Sequence, residues 1–347
     1  MAVALALAAC GGDDNPAAGS GGVATALSQL DESRMITTAV ATEWLTVKDK
    51  FGPAYAGSEK YDNYIAFLEE KMRGLGMVDF TRYTFPYPFW STTEWPDKSG
   101  WSLSSDGTSV DVASYATNSG NTGAGGVTGQ MIVYDPTLPA ARRPTAAQMA
   151  GKIVVIKHPA YATQTTPSTG NALFDYEFRT DSDRFPVPTG QIVPASVDAD
   201  YRNRSQLSTA TTYGINVCQA AGALAAVWVL DMSPLAAQGA RQHGTPRQYN
   251  CPGVLLDRNA GVKVLADAAA GKTAKVVLNS TVKDTRPAQI VAYLPGRNYG
   301  KDNDQKLLMV THTEGQSNVE DNGSLGILAV LSYYSKIPQA ERPRTTA

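Results

Sequence analysis

The sequence predicts an α/β protein in two parts, a mixed sheet with helices at the two ends of the chain and a β-rich stretch between them. Three observations predict it. Apolar residues recur at helical spacing over residues 25–75, short apolar runs bounded by Gly, Pro and Asp recur from about 106 to 285, and a strand-like run followed by an apolar helix occupies 306–336. The length of 347 residues suits two domains, and 43% hydrophobic against 18% charged residues supplies material for two cores. A formal net charge of -2 with no long basic run argues against a nucleic-acid partner.

Taken in order, residues 25–50 read as a helix through Leu27, Leu30, Met35, Ile36, Val40 and Trp44. Ser58 is a candidate N-cap for a second helix striped by Tyr61, Ile65, Leu68 and Met72 and stopped by Gly74-Leu75-Gly76. Residues 77–90 read as one aromatic-rich strand. In the middle stretch, strands are expected at 130–134, 152–156, 223–230, 253–257 and 276–278, with helices over 213–222 and from Asp257 to Gly271; the Thr/Pro/Asp-rich residues 160–197 show no period and read as a long loop. Strands at 289–296 and 306–311, joined by a polar turn, are expected to form a hairpin. The helix from about Asn322 to Lys336 is apolar around most of its surface, which predicts burial on both sides, and Pro338 ends it.

The N-terminal Leu7-Ala8-Ala9-Cys10 resembles a bacterial lipobox, followed by a polar Gly/Asp/Ser tether. The resemblance implies a signal peptide over 1–9, lipidation of Cys10, a tether over 10–24, and export to the cell envelope with acyl chains as the membrane anchor. The departure is the missing basic region: no Lys or Arg precedes Arg34. Two cysteines remain, Cys218 and Cys251, either a disulfide or two small buried thiols.

The residues with most chemistry are His312-Thr313-Glu314, at the end of the run Lys306–Thr311, and Asp321-Asn322-Gly323-Ser324, opening the last helix. Each alone is ordinary: a histidine after a strand is usually structural, and an Asp before a helix is usually a cap. Together they can converge where a strand meets a helix, and zinc takes His nitrogen and carboxylate oxygen at about 2.0–2.2 Å. His158 and His243 read as exposed loop residues. No nucleophile elbow, P-loop or dinucleotide fingerprint occurs.

The pair resembles the di-zinc aminopeptidase and glutamate carboxypeptidase family, metallopeptidase family 28. The middle stretch, 106–285, resembles a protease-associated domain through Gly151–Ile156, Cys218–Ala223, Pro252–Leu256 and Gly271-Lys272. The resemblance implies a partial zinc-peptidase domain (25–105 and 286–347) with a β-rich insert, two zinc ions, His312 as a terminal ligand, Asp321 as the bridging ligand, and Glu314 behind the imidazole where the family has Asp. Glu320 is an alternative ligand. Peptides would be the substrates. The family's Glu-Glu pair, later acid and final His have no counterpart here: no histidine follows His312, and the carboxylates after Glu320 are Asp321 and Glu341 alone. The expectation is therefore a fragment, inactive by itself, whose general base lies beyond Ala347. The rival readings are a non-catalytic receptor or binding ectodomain of the same fold and, more remotely, a zinc acyltransferase.

Overall fold

The computed structural model describes residues 30–157, 214–239, 248–315 and 322–347. The fold is α/β, and the chain divides into two compact units, one of residues up to Phe85 together with Arg286–Ala347, the other Pro86–Thr285.

In the first unit, helix α1 (Thr38–Phe51) begins later than the sequence suggests. Thr37 caps it by accepting from the Val40 amide at 3.3 Å, and a 3-10 turn, Glu32–Arg34, precedes it. Helix α2 (Glu59–Gly74) starts where expected, the Ser58 hydroxyl accepting from the Tyr61 amide at 3.1 Å. Its acidic first turn and basic last turn both suit the helix dipole. Gly76, at φ 81°, turns the chain out of the helix and lets the Met77 amide reach back to the Met72 carbonyl. The buried stripe Tyr61, Tyr64, Ile65 and Leu68 packs with Trp44 of α1 and with Leu325 and Leu328 of the last helix.

Residues 77–90 form two strands rather than one. Strand β1 (Val78–Thr84) pairs antiparallel with β12 (Ala288–Tyr293) in the first unit, with a register shift between Val78 and Thr81. After Phe85-Pro86, strand β2 (Tyr87–Ser91) pairs with β11 (Thr281–Thr285) in the second unit. The unit boundary therefore falls at 85/86 rather than 105/106, because β2 and β3 (Trp101–Ser105) find their partners in the middle stretch. The expected hairpin is absent: β13 (Lys306–Leu307) pairs in parallel with β14 (Thr345–Thr346). The last helix, Gly323–Ser335, buries Leu325, Leu328 and Leu331 while Val330 is exposed, so it is covered on one side rather than two. Its end is tied by Arg342, whose guanidinium donates to the carbonyls of Tyr334, Ser335, Ile337 and Pro295 at 2.8–3.1 Å.

The second unit holds an eight-stranded mixed sheet in the order β4-β3-β10-β6-β7-β8-β9-β5. Here β4 is Thr108–Val110, β5 Ser114–Tyr115, β6 Gly123–Tyr134, β7 Ile153–Lys157, β8 Ala225–Val229, β9 Gly253–Leu256 and β10 Thr273–Leu278. The run β6-β7-β8-β9 is parallel, and the flanking pairs are antiparallel. Alternate residues divide between two cores: Val154, Ile156, Ala226, Trp228 and Leu255 on one face, Ile153, Val155, Val227, Val254 and Leu256 on the other. In chain order, α3 is the single turn Ala146–Met149, α4 spans 214–221, α5 is Pro234–Ala237, α6 is Arg258–Ala269 and α7 is Gly323–Ser335. Helix α4 covers the first core through Ile215 and Cys218, and α6 covers the second through Val264 and Ala268. The Asp257 carboxylate caps α6 by accepting from the Asn259 and Ala260 amides at 2.7 and 2.9 Å. The unit thus carries helices on both faces of a parallel centre, more than the β-rich stretch expected.

Candidate functional site

The chain around His312 is stitched at both ends. On one side the Thr345 amide donates to Gln305, Ala347 to Leu307 and Met309 to Ala347, all through backbone carbonyls at 2.8–2.9 Å. On the other, Ala54 and Gly315 exchange backbone bonds at 2.9 and 3.3 Å. Between them the chain passes against the start of α7. A Cβ at Gly323 would lie 2.3 Å from the Thr311 hydroxyl, so only glycine admits this approach. Thr311 and Gly323 being in contact, His312 and Asn322 are each one residue from the junction. The chain a few residues beyond β13 therefore runs against the start of α7.

The side chains there are of two kinds. His312 and Glu314 are exposed. The Glu314 carboxylate accepts from the Thr313 amide at 3.2 Å, folding back on its own backbone. Beneath them lie buried aromatics of α2. The Tyr61 hydroxyl donates to the Ala288 carbonyl at 2.8 Å and accepts from the Thr313 hydroxyl at 3.4 Å. Burial raises the Tyr61 pKa above the ordinary tyrosine value, the carboxylates of Glu314 and Asp62 push the same way, and the Thr313 contact opposes them. The Tyr64 hydroxyl lies 2.5 Å from that of Ser324 in the first turn of α7, and the buried Lys48 ammonium stands 4.8 Å from the Tyr64 ring centre. None of Lys48, Tyr61 and Tyr64 is separable in sequence from an ordinary core stripe. Ser324 falls inside the motif, but its partner could not be read.

The described residues alone do not fit a zinc ion. Among them no three His, Cys, Asp or Glu side chains converge, and His312 is the single imidazole. Asp321 and Glu320 lie outside the described residues, as do Cys10, His158 and His243. Cys218 and Cys251 are buried in the second unit as free thiols. Among the described residues no helix is long and apolar enough to cross a membrane.

No protein-family model matches the chain, and no curated protein matches it in sequence. Its fold is similar to that of a peptidase M28 precursor from Shewanella amazonensis, at a TM-score of 0.53 and 15% identity over 91% of this chain and 64% of that one. An aminopeptidase from an Aneurinibacillus species matches at a TM-score of 0.49 and 13% identity, over 88% of this chain and 61% of that one. A zinc aminopeptidase from Bacillus subtilis matches at 0.49 and 14%, over 88% and 59%. The likeness is one of fold, carried by the first of the three. The chain spans about three fifths of the length of the solved structures it matches.

Proposed function

We propose that this chain is the leading portion of an exported, lipid-anchored zinc peptidase of metallopeptidase family 28, of aminopeptidase type, with a protease-associated insert. One observation carries the reading: in a fold similar to a peptidase M28 precursor, the stretch ending in His312 packs against the start of the helix that follows Asp321. His312 and Asp321 are the two ligands this chain would contribute, and the remaining ligands and the general base would come from sequence after Ala347. One further feature supports this: the aliphatic run before His312 is exposed, with Leu308 at 69% and Val310 at 71%. Peptides or proteins with a free N-terminus would be the substrates, and the lipid on Cys10 would hold the enzyme at the envelope.

The test is metal content and hydrolysis of an aminoacyl-nitroanilide by the full-length protein and by His312→Ala. The variant is expected to lose bound zinc and at least about a hundredfold in rate. A variant that keeps both overturns the reading, and so does measurable turnover by these 347 residues alone. A second reading, a binding ectodomain of the same fold without catalysis, is favoured by Glu314, which replaces the family's Asp and turns to the Thr313 amide. A Glu-Glu pair, an acid and a histidine in the downstream sequence would exclude it, and their absence would establish it.

A further inference from the structure

We propose that Cys218 and Cys251 form a disulfide in the mature protein, made by thiol–disulfide exchange as the second unit folds. This rests on the geometry of that unit and, for an oxidising environment, on the export proposed above, but not on the peptidase chemistry. Both sulfurs sit in one apolar core, at 0% and 2% exposure, with Ile215, Trp228, Tyr249 and Leu255. The two thiols lie within hydrogen-bonding reach of each other. Their backbones are held close by neighbours one residue away: the Asn250 amide donates to Gln219 Oε1 at 2.7 Å. Neither backbone is loose. The Cys218 carbonyl accepts from Ala223 where α4 ends, and the Cys251 carbonyl accepts from Gly120, both at 3.0 Å. Two thiols in one core, on backbones bonded through neighbours one residue away, need little movement to be joined.

The chemistry balances with a small disulfide such as oxidised glutathione as the oxidant. One cysteine thiolate attacks the oxidant, releasing one glutathione thiol and leaving a mixed disulfide. The second cysteine displaces the remaining glutathione. The S–S bond of the oxidant is exchanged for that between Cys218 and Cys251, and both cysteine protons leave with the two reduced glutathione molecules. The timing follows from burial. The hydrogen bond to Cys251, and then the apolar surroundings, raise the Cys218 pKa far above that of a free thiol, so folded Cys218 is a poor nucleophile, and burial closes both thiols to reagents. Exchange therefore belongs to folding, and the finished bond is shielded from reductants. It would tie α4 to the entry of β9 through a loop of roughly thirty residues, the size at which such a bond stabilises substantially.

The experiment uses the full chain with Cys10→Ser, so that two cysteines remain. The protein is refolded in a glutathione redox buffer, unfolded, alkylated with and without prior reduction, and weighed. The expected result is no alkyl group without reduction and two after it, with a cross-linked peptide joining 218 and 251. The bonded form should melt at least about 5 °C above the reduced form. Cys218→Ala should take one alkyl group in either case and show no dependence of melting on the redox buffer. Two alkyl groups without reduction, glutathione retained on each cysteine, or a bonded form that melts lower would each overturn the proposal. The mass measurement on the parent decides the matter even if the variant does not fold.

Discussion

The two units handle apolar strands differently. In the second, β7, β8 and β9 are buried along almost their whole length, and each strand sends alternate side chains into two separate cores. In the first, strand pairs stand two by two, and the run Leu307-Leu308-Met309-Val310, no less apolar, is largely open to solvent. The same kind of sequence is a core strand in one place and a surface in the other. The difference is the supply of partners: a two-stranded piece cannot bury both faces of an apolar strand, whereas the centre of an eight-stranded sheet with helices on either side does so fully.

That contrast can be broken most forcefully at Trp228. Its indole is fully buried and wedged between Gly214 and Gly253, where a Cβ would stand 2.6 and 2.3 Å from the ring. Trp228→Ala leaves a hole that two glycines cannot refill, and among the described residues the indole N–H has no partner to lose. A loss of about 3–5 kcal/mol in urea unfolding of the second unit is expected, and a loss under about 1 kcal/mol would show that the sheet is not tightly filled.

A smaller effect is expected at Asp267, buried in α6. Its carboxylate is held by Lys263, by the Ser105 hydroxyl at 2.7 Å and by Lys272 at 3.1 Å. These partners, Lys263 first, lower its pKa below the ordinary Asp value. A lowered carboxylate contributes stability above its unfolded pKa of about 3.9 and loses it as pH falls toward the folded value. Acid unfolding of the second unit, followed by circular dichroism, should therefore be less steep below about pH 4 in Asp267→Asn. An unchanged slope removes Asp267 from the account.

The least effect is expected in the first unit. Leu308→Ser, at an exposed position, should alter the stability of this chain by no more than about 0.5 kcal/mol. Under the proposal that further sequence covers the run, the same change in that longer protein should cost several times more by the same unfolding measurement. Equal small effects in both would mean that the run stays on the surface.

The caps at Ser58 and Asp257 and the strands around 153–156, 225–229 and 253–256 were legible because each depends on neighbours in sequence: a side-chain oxygen before a helix, or an apolar run between turns. Pairings between distant residues were not. Nothing local tells that the residues before Phe85 pair with β12 and those after it with β11, or that Lys306 pairs with Thr345 instead of folding back on β12. Strand β6 is only half legible, since Gly123, Gly125, Gly126 and Gly129 suppress the strand signal that pairing with β10 restores. At the candidate site the positions of His312 and Glu314 along the chain are legible, whereas Tyr61 and Tyr64, which meet Thr313 and Ser324 across 252 and 260 residues, are brought there by packing alone.

Arg342 makes one position intolerant of a change that elsewhere passes unnoticed. A flat guanidinium reaches carbonyls on the last helix, on the turn after it and at Pro295 in one plane-spanning fork. Lysine would keep the charge but gather its donors at a single point, leaving some of those oxygens without a donor. A charge-conserving exchange at 342 would therefore act as a deletion, unhooking the chain that returns toward β14.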